Sequence, residues 1–166
     1  MFQHLLREET IQLGITAGNG EEAIAQLIHG LPAWDLDATK KTEVVRLLIE
    51  REKFGTTAIG DGIAMPRCMT SAVTHPVAVL GISRSGVAFP SLDGDPVHMI
   101  FMLILPETEE ADLEKQRILH SAEAFFRDRF IMERLKIAES PEDAFEVILR
   151  EGSQLRLQMD RLAAVS

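Results

Sequence analysis

Two nucleophilic side chains, Cys68 and His75, follow a glycine-rich stretch near the middle of the chain. The stretch from residue 55 to residue 66 reads GTTAIGDGIAMP, and its three glycines predict a backbone that turns sharply near the surface. Arg67 directly precedes the cysteine, and a neighbouring cation can lower the pKa of a thiol and so favour the reactive thiolate. Nucleophilic chemistry by Cys68 or His75 beside this turn is therefore one alternative that the residue types leave open.

The other four histidines are less closely tied to the glycine-rich stretch. His98 lies in an apolar run that predicts a strand, where we expect a half-buried structural histidine. His120 belongs to a later predicted helix, and His4 and His29 fall at or before the first one. Cysteine and histidine do not occur at zinc-ligand spacing, so we expect neither a metal nor a cofactor.

The bulk composition describes a globular, acidic protein of 166 residues, which is an ordinary length for one domain. Its 17 basic and 26 acidic residues give a formal charge of −9, which disfavours binding to nucleic acid or to an anionic membrane. The longest apolar run, Met99 to Leu105, is too short to span a bilayer, and the N-terminal residues lack the apolar segment of a signal peptide. We therefore expect a cytoplasmic protein without membrane insertion.

Changes in the spacing of apolar residues divide the chain into helices and strands, which together predict an α/β fold. The predicted helices are Glu21–Leu31, the segment between an Asp37 cap and Gly55, Ala111–Phe126, Arg129–Ala138 and a segment that opens at Ser140-Pro141. The predicted strands are Val77–Ile82, Gly86–Phe89 and Val97–Leu105. The glycine-rich stretch thus connects an early helical pair to the sheet.

Together with Arg51 and Glu52, the glycine-rich stretch resembles the signature of the enzyme IIA family in the fructose, mannitol and nitrogen-regulatory branches of the sugar phosphotransferase system. The family pattern is approximately R-E, a short gap and then G-T-T-x-I-G-x-G-I-A-x-P-H. The resemblance extends over roughly residues 5 to 151. It implies the fold of the mannitol and fructose IIA proteins, an α/β sandwich in which helices flank a small mixed sheet.

In that family the histidine after the proline accepts a phosphoryl group from the phosphocarrier HPr, and here that position is Arg67. An imidazole can present a lone pair, whereas a guanidinium has only donors, so we predict that Arg67 cannot accept phosphate. A second family histidine aligns with Lys115. Arg51 matches a position that helps hold the phosphoryl group in the family, and Thr57 matches a family position near the turn. The resemblance therefore implies an anion-binding site made of Arg51, Thr57, Arg67 and Lys115.

Simpler interpretations of the same residues stay open at this point. Arg67 could pair with a nearby acid such as Glu52 or Asp61, and exposed pairs of that kind contribute only about 0–1 kcal/mol. Lys115 could be a solvated helix residue, because its neighbours in the sequence are acidic. The glycines could serve the shape of the fold alone.

The resemblance assigns residues 1–151 to a IIA-like domain and leaves residues 152–166 as a C-terminal tail. Apolar residues in the tail recur at helical spacing, at Leu155, Met159 and Leu162. This spacing leaves three interpretations open: a further helix, a docking arm or frayed chain.

The leading functional hypothesis is a regulatory, IIA-like binding module that cannot be phosphorylated and contacts an HPr-like phosphocarrier or regulatory target proteins. A second hypothesis is an active phosphoryl carrier that uses Cys68 or His75 in place of the missing histidine. A third is a sensor of phosphate, another small anion or a phosphorylated metabolite. The sequence does not decide whether the chain is an enzyme.

Overall fold

The computed structural model describes residues 1–164, which form a mixed six-stranded sheet with helices on both faces. The strands are β1 (Ile11–Leu13), β2 (Ala58–Gly60), β3 (Ile63–Ala64), β4 (Arg67–Met69), β5 (Val77–Val87) and β6 (Val97–Leu105). They are arranged in the order β1-β5-β6-β3-β2, with β4 also paired to β6. β5 and β6 are antiparallel, whereas β1 runs parallel to β5, and β3 and β4 run parallel to β6. This arrangement confirms the expected α/β class with a small mixed sheet.

Five helices follow the apolar periodicity of the sequence closely. They are α1 (Gly20–His29), α2 (Ala38–Lys53), α3 (Glu109–Phe126), α4 (Arg129–Lys136) and α5 (Pro141–Ala164), and two short 3-10 helices, Phe2–Leu5 and Glu8–Thr10, precede β1. The predicted Asp37 cap is confirmed, because its carboxylate accepts a hydrogen bond from the Lys40 amide at 3.0 Å. The predicted bounds of α1 to α4 and the predicted start of α5 are therefore correct to within two residues.

The sheet separates two apolar cores, so both faces of β5 and β6 are buried. For this reason their sequences are almost continuously apolar and do not alternate between apolar and polar residues. One core is shared with α1 and α2, and the other with α3, α4, α5 and the first 3-10 helix. The separate strand predicted over Gly86–Phe89 is wrong. Its first two residues belong to β5, whose pairing with β6 is interrupted between Ile82 and Val87, and Gly86 there has φ +84°.

β3 and β4 lie one after the other along the same side of β6. Ile63 is paired with Met99, and Arg67 is paired with Leu103 further along that strand. The chain between them must therefore stay extended beside β6, and this fixes where residues 65 to 67 lie relative to the sheet. The glycine-rich stretch is thus part of the sheet rather than a free loop.

The last helix, α5, continues without a break from the predicted domain into the predicted tail and ends at Ala164. The buried carboxylate of Glu151 pairs with Arg134 of α4 at 2.6 Å and fastens the middle of α5 to the body of the protein. Beyond that point Leu157 and Met159 are exposed. The last two residues of the tail, 165 and 166, lie outside the described residues. No helix among residues 1–164 has the length and apolar character needed to cross a membrane.

Candidate functional site

A tight hairpin between β2 and β3 opens the candidate site. Its two central residues, Asp61 and Gly62, have φ values of +55° and +74°, which is the pattern of the two-residue turn favoured by Asp-Gly sequences. Gly62 also has little room, because a Cβ there would lie 3.3 Å from Cδ2 of His98. The glycine in this turn is therefore required both by backbone conformation and by packing.

The hairpin is held from two sides by residues distant in the sequence. The Asp61 amide donates to Oδ2 of Asp93 at 2.8 Å, and the Asp61 carboxylate pairs with the guanidinium of Arg127 at the end of α3. The hydroxyl of Ser91 and the amides of Asp61 and Asp95 also donate to Asp93, and these bonds lower the pKa of its carboxyl group. The suggested pairing of Arg67 with Asp61 is therefore wrong, since Asp61 is bound to Arg127.

Arg67 begins β4, which pairs with β6 alone in the described part of the chain. Its side chain is half-buried, and one guanidinium nitrogen, Nη1, donates to the carbonyl oxygen of Met65 at 3.1 Å. Burial lowers the pKa of Arg67, the nearby charge of Arg51 lowers it further, and Glu52 partly opposes both effects. The electrostatic influence of Arg51 and Glu52 shows that the three side chains lie in one neighbourhood.

Glu52 forms hydrogen bonds with the start of the glycine-rich stretch rather than an ion pair with an arginine. Its carboxylate accepts hydrogen bonds from the Thr57 amide and the Thr57 hydroxyl, both at 2.7 Å, and from the Thr56 hydroxyl at 3.3 Å. Thr57 is buried, so these bonds satisfy donors that solvent cannot reach. The suggested ion pair between Arg67 and Glu52 is therefore wrong, although Glu52 still acts on Arg67 at longer range.

Arg51 lies in the last turn of α2, where a cation interacts favourably with the helix dipole. Its Nη1 donates to the carbonyl oxygen of Gly55 at 2.9 Å. Within residues 1–164 neither Arg51 nor Arg67 forms an ion pair, because the contacts of both guanidiniums are with backbone carbonyls. Two arginines without an ion-pair partner thus lie within electrostatic range of each other, with Glu52 offsetting their charge in part, on a protein whose net charge is −9.

The other residues predicted for this site have different surroundings. The hydroxyl of Thr57 is used by Glu52, so Thr57 contributes to the site by fixing Glu52. The ammonium of Lys115 pairs with Asp112 one turn earlier in α3, and its grouping with the two arginines stays a prediction. Sequence analysis missed the contribution of Asp93 and Arg127, which lack a local sequence pattern that would link them to the turn.

Of the two candidate nucleophiles, Cys68 has a less reactive thiol than its neighbour Arg67 suggests. Burial raises the pKa of the Cys68 thiol to about 12, and Glu43 raises it as well, so the suggestion that Arg67 favours a thiolate at Cys68 is wrong. Arg67 does not counter this effect, because successive residues of a strand project to opposite faces. His75 is exposed and its Nδ1 lies 3.1 Å from the Thr74 hydroxyl. His98 is half-buried in β6, as predicted.

A metal site finds no support in the geometry. Among residues 1–164, acidic, cysteine and histidine side chains do not form a group of three or more that could hold a metal ion. The charged groups that act on Arg67 are the guanidinium of Arg51 and the carboxylate of Glu52.

Comparison with known proteins assigns the chain to a family. The family described as "Phosphoenolpyruvate-dependent sugar phosphotransferase system, EIIA 2" matches residues 4–151. A nitrogen regulatory protein of Klebsiella oxytoca is 30% identical over 156 residues, which is 92% of this chain and 92% of that protein. The chain belongs to the enzyme IIA family of the phosphotransferase system, in its nitrogen-regulatory type.

Solved structures place this IIA protein among both branches suggested by its signature. The crystal structure of the nitrogen regulatory protein IIA-Ntr from Neisseria meningitidis has a TM-score of 0.78 and 25% identity, covering 88% of this chain and 97% of that one. The mannitol enzyme IIA of Escherichia coli, solved in complex with phosphorylated mannitol enzyme IIB, has a TM-score of 0.67 and 25% identity, covering 87% and 96% of the two chains. The IIA fold is thus shared over nearly nine-tenths of this chain.

Proposed function

We propose that this IIA protein is a regulatory module that does not accept a phosphoryl group and acts by binding other proteins in the cytoplasm. The observation that carries the proposal is the presence of Arg67 directly after the glycine-rich turn and Pro66, where the family signature has its histidine. A guanidinium stays protonated near neutral pH and has no lone pair with which to attack phosphorus. The half-buried position of Arg67 lowers its pKa but does not supply a nucleophile.

The proposed partner surface surrounds this arginine pair. Phe54 caps the C-terminus of α2 three residues after Arg51, and its side chain is 88% exposed. An exposed aromatic ring beside positively charged arginines is the kind of anchor on which protein interfaces depend. We propose that an HPr-like phosphocarrier or a regulatory target protein docks on the surface formed by Phe54, Arg51 and Arg67.

Phosphoryl transfer is tested by incubating the protein with enzyme I, HPr and phosphoenolpyruvate and measuring its intact mass. A IIA protein that has the histidine serves as the positive control. We expect the control to gain one phosphoryl group and this chain to gain none. A stoichiometric gain would refute the proposal, and loss of that gain in Cys68→Ser or His75→Ala would identify the acceptor and support the carrier hypothesis.

Docking is tested separately by titrating HPr against the protein and its variants in a calorimeter. We expect Phe54→Ala to weaken binding by about tenfold or more, as expected for the loss of a buried aromatic anchor. The matched control is Leu92→Ala, since Leu92 is also strongly exposed but lies in the loop between β5 and β6. Equal effects of the two variants would argue against the proposed surface.

A second candidate function, binding of a small anion, is favoured by the two adjacent arginines without carboxylate partners. Arginine binds phosphate and carboxylate groups through parallel donors, and such binding would relieve the repulsion between the two cations. The test is a titration with inorganic phosphate followed by NMR. We expect Arg67→Gln to abolish saturable shifts and the exposed control Arg46→Gln to keep them; shifts that persist in Arg67→Gln would exclude this site.

A further inference from the structure

A second cavity, of about 440 Å³, lies between α4 and the start of β6. Four of its residues, Arg129, Met132, Glu133 and Lys136, follow one another at the spacing of a single helical face. The opposite wall includes His98, which is five residues before the strand position paired with Arg67. Five residues of a strand span about 17 Å, so this cavity is separate from the arginine pair.

Two of the three cations that line the cavity are already neutralised. Arg127 pairs with Asp61 of the hairpin, and its Nε also bonds to Glu123 at 3.0 Å. Lys136 pairs with Glu133 of the same helix at 3.1 Å. Arg127 and Lys136 therefore have no unpaired positive charge to offer a ligand.

Arg129 and Asp95 are the charged groups of the cavity that stay without an ion pair among the described residues. Both side chains are exposed. Arg129 stands at the start of α4, and Asp95 stands in the loop that leads into β6. The cavity therefore presents one free cation and one free anion to the same space.

His98 adds an oriented hydrogen-bond acceptor. Its Nδ1 donates to the carbonyl oxygen of Ser83 at 2.9 Å, which leaves the lone pair of the neutral ring on Nε2. The Nε2 atom of His98 has no hydrogen-bond partner among residues 1–164. Because every fully buried side-chain nitrogen or oxygen in that range has such a partner, Nε2 is accessible to solvent. Gly62 and Gly86 hold the ring in place, since added Cβ atoms would lie 3.3 and 3.2 Å from Cδ2 and Cε1.

We propose that this cavity binds a small zwitterion of the α-amino acid class. Arg129 binds the carboxylate through parallel donors, while Asp95 and Nε2 of His98 accept hydrogen bonds from the ammonium group. Pro96, which is exposed, and the partly accessible edge of Met132 supply an apolar wall for the ligand's side chain. The volume falls within the range of about 300–1,000 Å³ that is usual for small-molecule sites. This binding does not depend on whether the chain accepts a phosphoryl group.

The test titrates each standard amino acid separately into the full-length protein, with binding measured by calorimetry and by NMR of the histidine ring resonances. We expect saturable binding of at least one amino acid, with a shift of the His98 ring signals. The two analogues of that ligand that lack the amino or the carboxylate group should bind at least about tenfold more weakly. Arg129→Gln and Asp95→Asn should each weaken binding by about tenfold or more, whereas the exposed control Arg150→Gln should leave it unchanged.

Three results would overturn the proposal. The first is the absence of saturable binding by any amino acid in the millimolar range to the folded protein. The second is unchanged affinity in both Arg129→Gln and Asp95→Asn. The third is equal binding of the analogue that lacks the amino group, because that would indicate an anion site rather than a zwitterion site.

Discussion

Replacing Glu52 with alanine should lower the free energy of unfolding by about 3 kcal/mol. The Glu52 carboxylate accepts two bonds of 2.7 Å from the amide and hydroxyl of Thr57, and hydrogen bonds to a charged group contribute about 1.5–3 kcal/mol each. Thr57 is buried, so its donors would lose their partner where solvent cannot reach them. Glu52 itself is only half-buried, which places the expected loss at the lower end of the sum.

The assay is urea unfolding followed by circular dichroism, with an unchanged denaturant slope as evidence that the folded state stays compact. Glu52→Gln keeps one acceptor oxygen and should cost about half as much as Glu52→Ala. The matched control is Glu50→Ala, because Glu50 pairs with Arg46 at 2.8 Å on the exposed face of α2 and should contribute about 0.3–0.5 kcal/mol. A loss in Glu52→Ala no larger than in Glu50→Ala would refute the assignment of Glu52 as the support of the turn.

Three further predictions concern the thiol, the hairpin and the last helix. Cys68 should resist alkylation in the folded protein at neutral pH. Because the folded state binds the thiol proton more tightly than the unfolded state, the free energy of unfolding should fall as the pH rises from about 8.5 towards 12. Cys68→Ala should remove that decline. Gly62→Ala should destabilise the protein by about 1–2 kcal/mol in thermal unfolding, because alanine disfavours φ +74° and its Cβ would crowd His98. Glu151→Ala should cost about 2 kcal/mol in urea unfolding by leaving Arg134 without its partner, and a loss under 0.5 kcal/mol would contradict this role.

Long apolar segments made much of the fold predictable from the sequence. β6 has the bounds that were predicted, and α2 begins at its predicted cap, because both are specified by local spacing and capping. The short strands β1, β2, β3 and β4 were not predicted as strands. Each has only two or three residues, and they exist because they pair with longer neighbours rather than because of their own pattern.

The candidate site was predictable only where its contacts are local. The resemblance marked Arg51 and Arg67, and the proximity of Glu52 to Thr57 follows from five residues of separation. The ion pair between Asp61 and Arg127 could not be predicted in this way, since Arg127 is 66 residues further along the chain. Sequence adjacency also misled the interpretation of Cys68, because a strand directs neighbouring side chains to opposite faces.

The most direct test of the proposal that Arg67 cannot accept a phosphoryl group introduces a histidine at that position. Arg67→His and the double variant Arg67→His with Lys115→His are incubated with enzyme I, HPr and phosphoenolpyruvate, and acid-labile phosphate is measured by intact mass alongside the original chain. The hairpin, Arg51 and the support from Glu52 are kept, so we predict slow but measurable labelling of the double variant, weaker labelling of Arg67→His and none of the original chain. A folded double variant that stays unlabelled over hours, or an original chain that becomes labelled, would contradict the account.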